Sequence, residues 1–207
     1  MIQVLRRTGG RTGRFLGDAL AWRSPERQHV LVAWSLVAGA AFLITSLAVD
    51  PVWPGRMLAG FYLVTVLAAV CAIDARYGII PDSLVVAIAA GGVLQSVLPD
   101  QGEVLQRCID SALFLAAACL FRVIYRWVRG HDGLGFGDVK FATAGVLWIG
   151  LEGVPELLLI AVFSALASLA ILKADGYNID GKQAISFGPH LAIGLWLTWT
   201  VGPSFGF

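Results

Sequence analysis

Long apolar runs separated by short polar segments dominate this chain and restrict what it can fold into. Runs of this length suit helices that cross a lipid bilayer, because a helix satisfies its own backbone hydrogen bonds there. Of the 207 residues, 57% are hydrophobic and 14% are charged, whereas a soluble domain is about 25% charged. We therefore predict an all-α, polytopic membrane protein with seven spans. The predicted spans are residues 30–49, 57–74, 83–98, 108–128, 139–150, 154–172 and 186–203.

The basic residues predict the orientation of these spans. An excess of arginine and lysine marks the cytoplasmic side of a membrane. Six arginines precede the first span: Arg6, Arg7, Arg11, Arg14, Arg23 and Arg27. With the N-terminus in the cytoplasm, seven crossings leave only Arg56 and Arg107 of the 15 basic residues outside. We interpret residues 1–29 as a cytoplasmic tail near lipid headgroups, with no role in binding nucleic acid. The run at 139–150 is short for a complete crossing.

Two aspartates lie at the ends of predicted spans, where ionisable groups are costly and usually functional. Asp74 ends the run 57–74, and Asp138 follows the glycine-rich segment 133–137. The predicted orientation brings both to the cytoplasmic edge of the membrane. Two close carboxyls share one proton. One can then accept a proton from water while the other hydrogen-bonds a peptide carbonyl. The pattern predicts an aspartyl protease that uses no metal and no cofactor.

Neighbouring residues are candidates for supporting roles. Gly135 and Gly137 permit close approach of the backbone, so that an extended substrate could reach Asp138. Lys140 either positions substrate and tunes Asp138 or anchors the segment at the membrane interface. We interpret Asp82 chiefly as the cap of a helix that begins at residue 83. Considered alone, Asp138 is likewise a candidate cap for a helix that begins at residue 139.

The three cysteines do not indicate a metal site. Cys71, Cys108 and Cys119 lie in or beside apolar runs and form no C-x-x-C pair. This placement predicts buried structural thiols rather than metal ligands or a redox pair.

Four segments between residues 57 and 203 form an ordered set. In chain order they read DARYGIIPD at 74–82, GFGDVK at 135–140, LWIG at 147–150 and SFGPHLA at 186–192. The second resembles the G-x-G-D-x-K signature of the type IV prepilin peptidases, which are membrane aspartyl proteases of bacteria. The first resembles that family's first aspartate motif, the third the stretch after the second aspartate, and the fourth the late F-G-P-x-L-A segment.

This resemblance implies that Asp74 and Asp138 are the catalytic pair. It implies a six-span catalytic domain at 57–207, preceded by an extra span and outer loop at 30–56. The expected enzyme lies in the bacterial inner membrane and removes the basic leader from prepilin or pseudopilin precursors at the cytoplasmic face. Those precursors and the lipid bilayer are its expected partners.

The chain also departs from the family pattern. Many members carry an N-terminal cysteine motif associated with methylation of the trimmed pilin, and none is visible in this sequence, so methyltransferase activity is not expected. Ser186 stands where the family usually has proline. His190 stands at a commonly apolar position, and we interpret it as a packed or interfacial histidine.

Two other functions remain open from the sequence. One is a G-x-G-D intramembrane protease of the presenilin or signal-peptide-peptidase type, although the segment 187–189 and the small size argue against it. The other is a transporter or scaffold that uses intramembrane acids. An inverted internal repeat would favour transport, and the sequence shows none.

Overall fold

The computed structural model describes residues 54–97, 104–130, 133, 135–174 and 186–202. These residues form six helices and no strand, which confirms the all-α prediction for this part of the chain. The helices are α1 (Pro54–Tyr77), α2 (Asp82–Ser96), α3 (Val104–Arg129), α4 (Phe136–Ile149), α5 (Val154–Ala174) and α6 (Gly188–Val201). The predicted tail at 1–29 and the predicted span at 30–49 lie outside the described residues.

Each of the other six predicted spans falls on one of these helices. By length and hydropathy, two segments are able to cross a bilayer, Leu58–Tyr77 of α1 and Val104–Arg129. Helix α2 and the segment Val154–Ala170 of α5 are apolar but shorter. The described residues therefore support a helical membrane protein, and the count of seven crossings stays a prediction.

Two short helices, α4 and α6, form the centre of the packing. Helix α4 packs against α2, α3 and α6, and α6 packs against α1, α4 and α5. Both have 14 residues, and a helix of that length is only about 21 Å long. Phe141, Leu191 and Leu195 are among their fully buried side chains. A helix that is apolar on all sides suits such a central position.

Buried indoles attach these central helices to α2. The Nε1–H of Trp148 on α4 donates to the backbone oxygen of Ile88 at 2.8 Å. The Nε1–H of Trp199 on α6 donates to Oε1 of Gln95 at 2.8 Å. Because a buried polar group without a partner is costly, these bonds fix how α2 lies against both helices.

A tight turn joins α1 to α2 and determines where Asp74 lies. Gly78 ends α1 with a φ of 65°, and its N–H donates to the carbonyl oxygen of Asp74 at 2.8 Å. Glycine suits this left-handed position because it has no Cβ. The chain then runs to Pro81, whose extended conformation precedes the first residue of α2. Asp74 therefore lies in the last turn of α1, beside a fixed turn.

Candidate active site

Asp74 is a buried carboxylate held by the N-terminus of α6. Its side chain is only 4% exposed. Oδ2 accepts a hydrogen bond from the Ser186 hydroxyl at 2.5 Å and another from the Gly188 backbone N–H at 2.8 Å. The first N–H groups of a helix have no partner within it, and Phe187, the cap residue of α6, makes no side-chain cap bond. Asp74 therefore supplies from α1 the acceptor that α6 lacks, at the end of the helix that favours negative charge.

The close approach of α6 to Asp74 requires a glycine at position 188. A Cβ built there would lie 2.5 Å from Oδ2 of Asp74 and 2.8 Å from its Cγ. Non-bonded heavy atoms normally stay about 3.5 Å or more apart. Any larger residue at position 188 would have to displace the carboxylate or the start of α6.

Asp138 lies in the first turn of α4, just before the apolar run 139–150. The helix begins at Phe136 with Gly135 as its cap residue, so Asp138 is not the cap that its position alone suggested. Its side chain folds back over Gly135, where a Cβ would lie 2.7 Å from Oδ2 of Asp138. Gly137 differs, since a Cβ there would meet only Ile80, at 3.7 Å. A Cβ at Gly135 would therefore collide with the Asp138 carboxylate, whereas one at Gly137 would make only an ordinary contact. That these two glycines let an extended substrate approach Asp138 stays a prediction.

The two aspartates are electrostatically linked. Burial raises the pKa of the Asp138 carboxyl from 3.8 to about 6, and the negative charge of Asp74 adds to the rise. A like charge disfavours a second ionisation nearby. The carboxyls from α1 and α4 therefore behave as a pair that retains a proton on Asp138 to higher pH than an isolated aspartate would.

Asp82 and Lys140, both candidates for supporting roles, contact each other. Lys140 Nζ donates to Oδ1 of Asp82 at 2.7 Å and lies 4.9 Å from the centre of the Phe136 ring. The prediction that Asp82 caps a helix beginning at residue 83 is wrong, because α2 begins at Asp82 itself and Pro81 is the cap residue. The Asp82 carboxylate instead bonds a cation on another helix. The ion pair joins the start of α2 to the first turn of α4.

His190 is a packed residue, as the sequence suggested. It is 3% exposed, and its Nδ1 lies 2.6 Å from the Ser164 hydroxyl of α5. The Phe187 ring lies beside it, with ring centres 6.2 Å apart. The histidine therefore helps to attach the start of α6 to α5.

The cysteines are less buried than predicted. Cys71 and Cys119 are half-buried and Cys108 is exposed, and all three are free thiols. The prediction of buried thiols is wrong for Cys108, because α3 packs on one side only and much of its apolar surface stays uncovered. Among the described residues, no three histidine, cysteine or acidic side chains lie together as a metal site would require.

Sequence reasoning missed the two donors to Asp74. The segment that contains Ser186 and Gly188 matched a family motif, but the match assigned neither residue a role. They lie 112 and 114 residues from Asp74 in sequence. The one hint in the sequence was that Ser186 stands where the family usually has proline, which places a hydroxyl beside the late motif.

Comparison with known proteins finds one family and several relatives. The model of the type IV leader peptidase family matches residues 61–170. A prepilin leader peptidase/N-methyltransferase of Dickeya chrysanthemi is 29% identical over 179 residues, which are 86% of this chain and 59% of that protein. The protein of the same name from Burkholderia pseudomallei strain K96243 is 29% identical over 79% of this chain and 50% of its own length. The protein of the same name from Dichelobacter nodosus is 30% identical over 71% of this chain and 50% of its own length.

The chain thus spans between half and three-fifths of the length of these curated relatives. No solved structure matches it.

Proposed function

The chain belongs to the type IV leader peptidase family, and on this basis we propose that it is a membrane aspartyl endopeptidase. Its substrates would be prepilin or pseudopilin precursors, and the reaction would remove their basic leader peptide. Asp74 and Asp138 would be the catalytic residues. The proposal concerns the peptidase reaction alone and does not include the methyltransferase activity that the relatives' names also carry.

The observation that carries this proposal is the linked pair of aspartates. One carboxyl comes from the last turn of α1 and the other from the first turn of α4, and the charge of Asp74 acts on Asp138. Such a pair can hold one proton and one water, which is what hydrolysis of a peptide without a metal requires. Both residues also lie in the segments that resemble the family's aspartate motifs.

The reaction can be followed through its protons. The ionised carboxyl takes a proton from the water, whose oxygen attacks the peptide carbonyl carbon. The protonated carboxyl gives its proton to the carbonyl oxygen, and a tetrahedral diol forms. The C–N bond then breaks as the leaving nitrogen takes the proton from the first carboxyl. One diol hydroxyl returns a proton to the second carboxyl, which restores the pair.

The proposal includes a membrane topology that suits this substrate. The chain would cross the bacterial inner membrane seven times with its N-terminus in the cytoplasm. Residues 57–207 would form the catalytic domain and 30–56 an additional span with its outer loop. Both aspartates would then lie at the cytoplasmic edge, on the side where the basic leader of a precursor remains. The distribution of the 15 basic residues supports this orientation.

Co-expression with candidate prepilins tests the function. The parent chain should shorten the precursor on a gel, and mass spectrometry should locate the cut between the leader and the hydrophobic segment. Asp74→Asn and Asp138→Asn should each abolish cleavage, because each carboxyl is needed in a different protonation state. The double variant should be no worse than either single one, since residues that act as a unit are non-additive.

Asp110→Asn is the matched control. Asp110 lies on α3, where it accepts hydrogen bonds from Gln106 Nε2 at 2.8 Å and from the Leu151 N–H at 3.3 Å. The same chemical change there should leave cleavage intact. Substantial cleavage by a well-expressed Asp74→Asn or Asp138→Asn variant would refute the paired-aspartate mechanism.

A further inference from the structure

The two aspartates differ sharply in the donors that reach them. Asp74 receives two hydrogen bonds on the same oxygen, from the Ser186 hydroxyl and the Gly188 N–H. Asp138 receives none from the residues that the structure describes. Hydrogen bonds donated to a carboxylate favour its ionised form, and burial without donors favours the neutral form.

We propose that Ser186 is a positioning residue which, together with the Gly188 N–H, holds Asp74 as the ionised member of the pair, so that Asp138 carries the shared proton. This inference rests on the proposed function and deepens it. It assigns Asp74 as the base that takes a proton from the attacking water. It assigns Asp138 as the acid that protonates the peptide carbonyl oxygen.

The geometry around Asp74 supports this assignment. Both donors converge on Oδ2, and within the described part of the chain Oδ1 has no hydrogen-bond partner. That oxygen therefore keeps its lone pairs for the attacking water that the proposed reaction places beside it. The N-terminus of the 14-residue helix α6 also faces the carboxylate, and its dipole favours negative charge there.

The environment of Asp138 supports the complementary role. Its carboxyl is half-buried in the first turn of α4, and burial raises its pKa to about 6, so that it keeps its proton to higher pH than an ordinary aspartate does. The nearby cation Lys140 donates to Asp82, and no hydrogen bond links it to Asp138. The two donors to Asp74 and the burial of Asp138 without donors from the described residues thus both favour an ionised Asp74 and a protonated Asp138.

Serine variants test the positioning role. Ser186→Ala should lower kcat by about tenfold to a hundredfold, the usual effect of losing a hydrogen bond to a charged group. KM should stay near the parent value, because Ser186 is assigned no contact with substrate. Ser186→Thr keeps the hydroxyl and should restore most of kcat. Ser168→Ala is the control, since among the described residues that hydroxyl bonds only the Ser164 backbone within α5, at 3.0 Å.

Infrared difference spectra test the protonation states without any need for cleavage. At about pH 5, which is below the Asp138 pKa of about 6, the protonated Asp138 carboxyl absorbs as a carboxylic acid. Asp138→Asn should remove that acid band, and Asp74→Asn should remove a carboxylate band. Loss of the acid band in Asp74→Asn instead would overturn the assignment.

The kinetic outcomes separate this inference from the function on which it rests. The role of Ser186 is wrong if Ser186→Ala keeps the parent kcat, or if Ser186→Thr loses as much kcat as Ser186→Ala. Either result leaves the proposed peptidase function intact. Continued cleavage by both single aspartate variants would instead overturn the proposed function.

Discussion

Replacing Gly188 with alanine should stop most cleavage by moving one carboxylate. The new Cβ would lie 2.5 Å from Oδ2 of Asp74, whereas such atoms normally approach to about 3.5 Å. Either the carboxylate or the start of α6 must therefore shift by roughly 1 Å. A displacement of that size at a catalytic group costs about a hundredfold in rate. We expect kcat to fall by about that factor, measured with purified enzyme and a synthetic precursor peptide.

A second glycine on the same helix provides the control. A Cβ at Gly194 would lie 2.5 Å from the carbonyl oxygen of Leu157, which is an equally tight contact on the α5 side. Overpacking of this kind costs about 1–3 kcal/mol of stability. Gly194→Ala should therefore lower the melting temperature while its folded fraction keeps the parent kcat. A folded Gly188→Ala variant with the parent kcat would show that the position of Asp74 does not limit the reaction.

Three further measurements address the ion pair, the Asp138 carboxyl and the topology. Asp82→Lys and Lys140→Asp should each lower stability by up to about 1 kcal/mol, and the double exchange should restore it in thermal unfolding; no recovery would contradict a direct pairing. Stability that depends on neutral Asp138 is complete below pH 3.8 and is lost as pH rises through about 6. Asp138→Asn should therefore raise the melting temperature more at about pH 8 than at about pH 5, and an equal change at both would contradict the raised pKa. A reporter fused after Phe207 should read periplasmic and one fused at Gly9 cytoplasmic, whereas matching signals would mean an even number of crossings.

The positions of the helices were predictable because their signals are local. Apolar runs bounded by prolines, glycines and charges marked the six described helices to within a few residues. The first residues of α2 and α4 were less predictable, because neither helix start has a side-chain cap bond that would mark it in the sequence. Helix α2 begins at Asp82 rather than at 83, and α4 begins at Phe136 rather than at 139.

The choice of the two aspartates as the proposed catalytic pair came from the sequence. Asp74 and Asp138 are ionisable residues at the ends of apolar runs, inside ordered motifs, and the predicted topology put both on one side. The sequence could not decide which of them would hold the proton, because that depends on donors from a distant segment.

Tertiary structure alone determined what surrounds the pair. Ser186 and Gly188 reach Asp74 across more than a hundred residues, and Lys140 pairs with Asp82 from a different helix. Neither contact leaves a periodic pattern in the sequence.

Tertiary structure also decided which helices are central. Helices α4 and α5 are both largely apolar, yet nine of the 14 residues of α4 are buried while α5 leaves Phe163 and Leu166 exposed. In a chain suited to lipid, a side chain that faces the bilayer and one that faces another helix are equally apolar. Hydrophobicity therefore shows where such helices lie along the chain, but not which of them are central. Packing between the helices decides that.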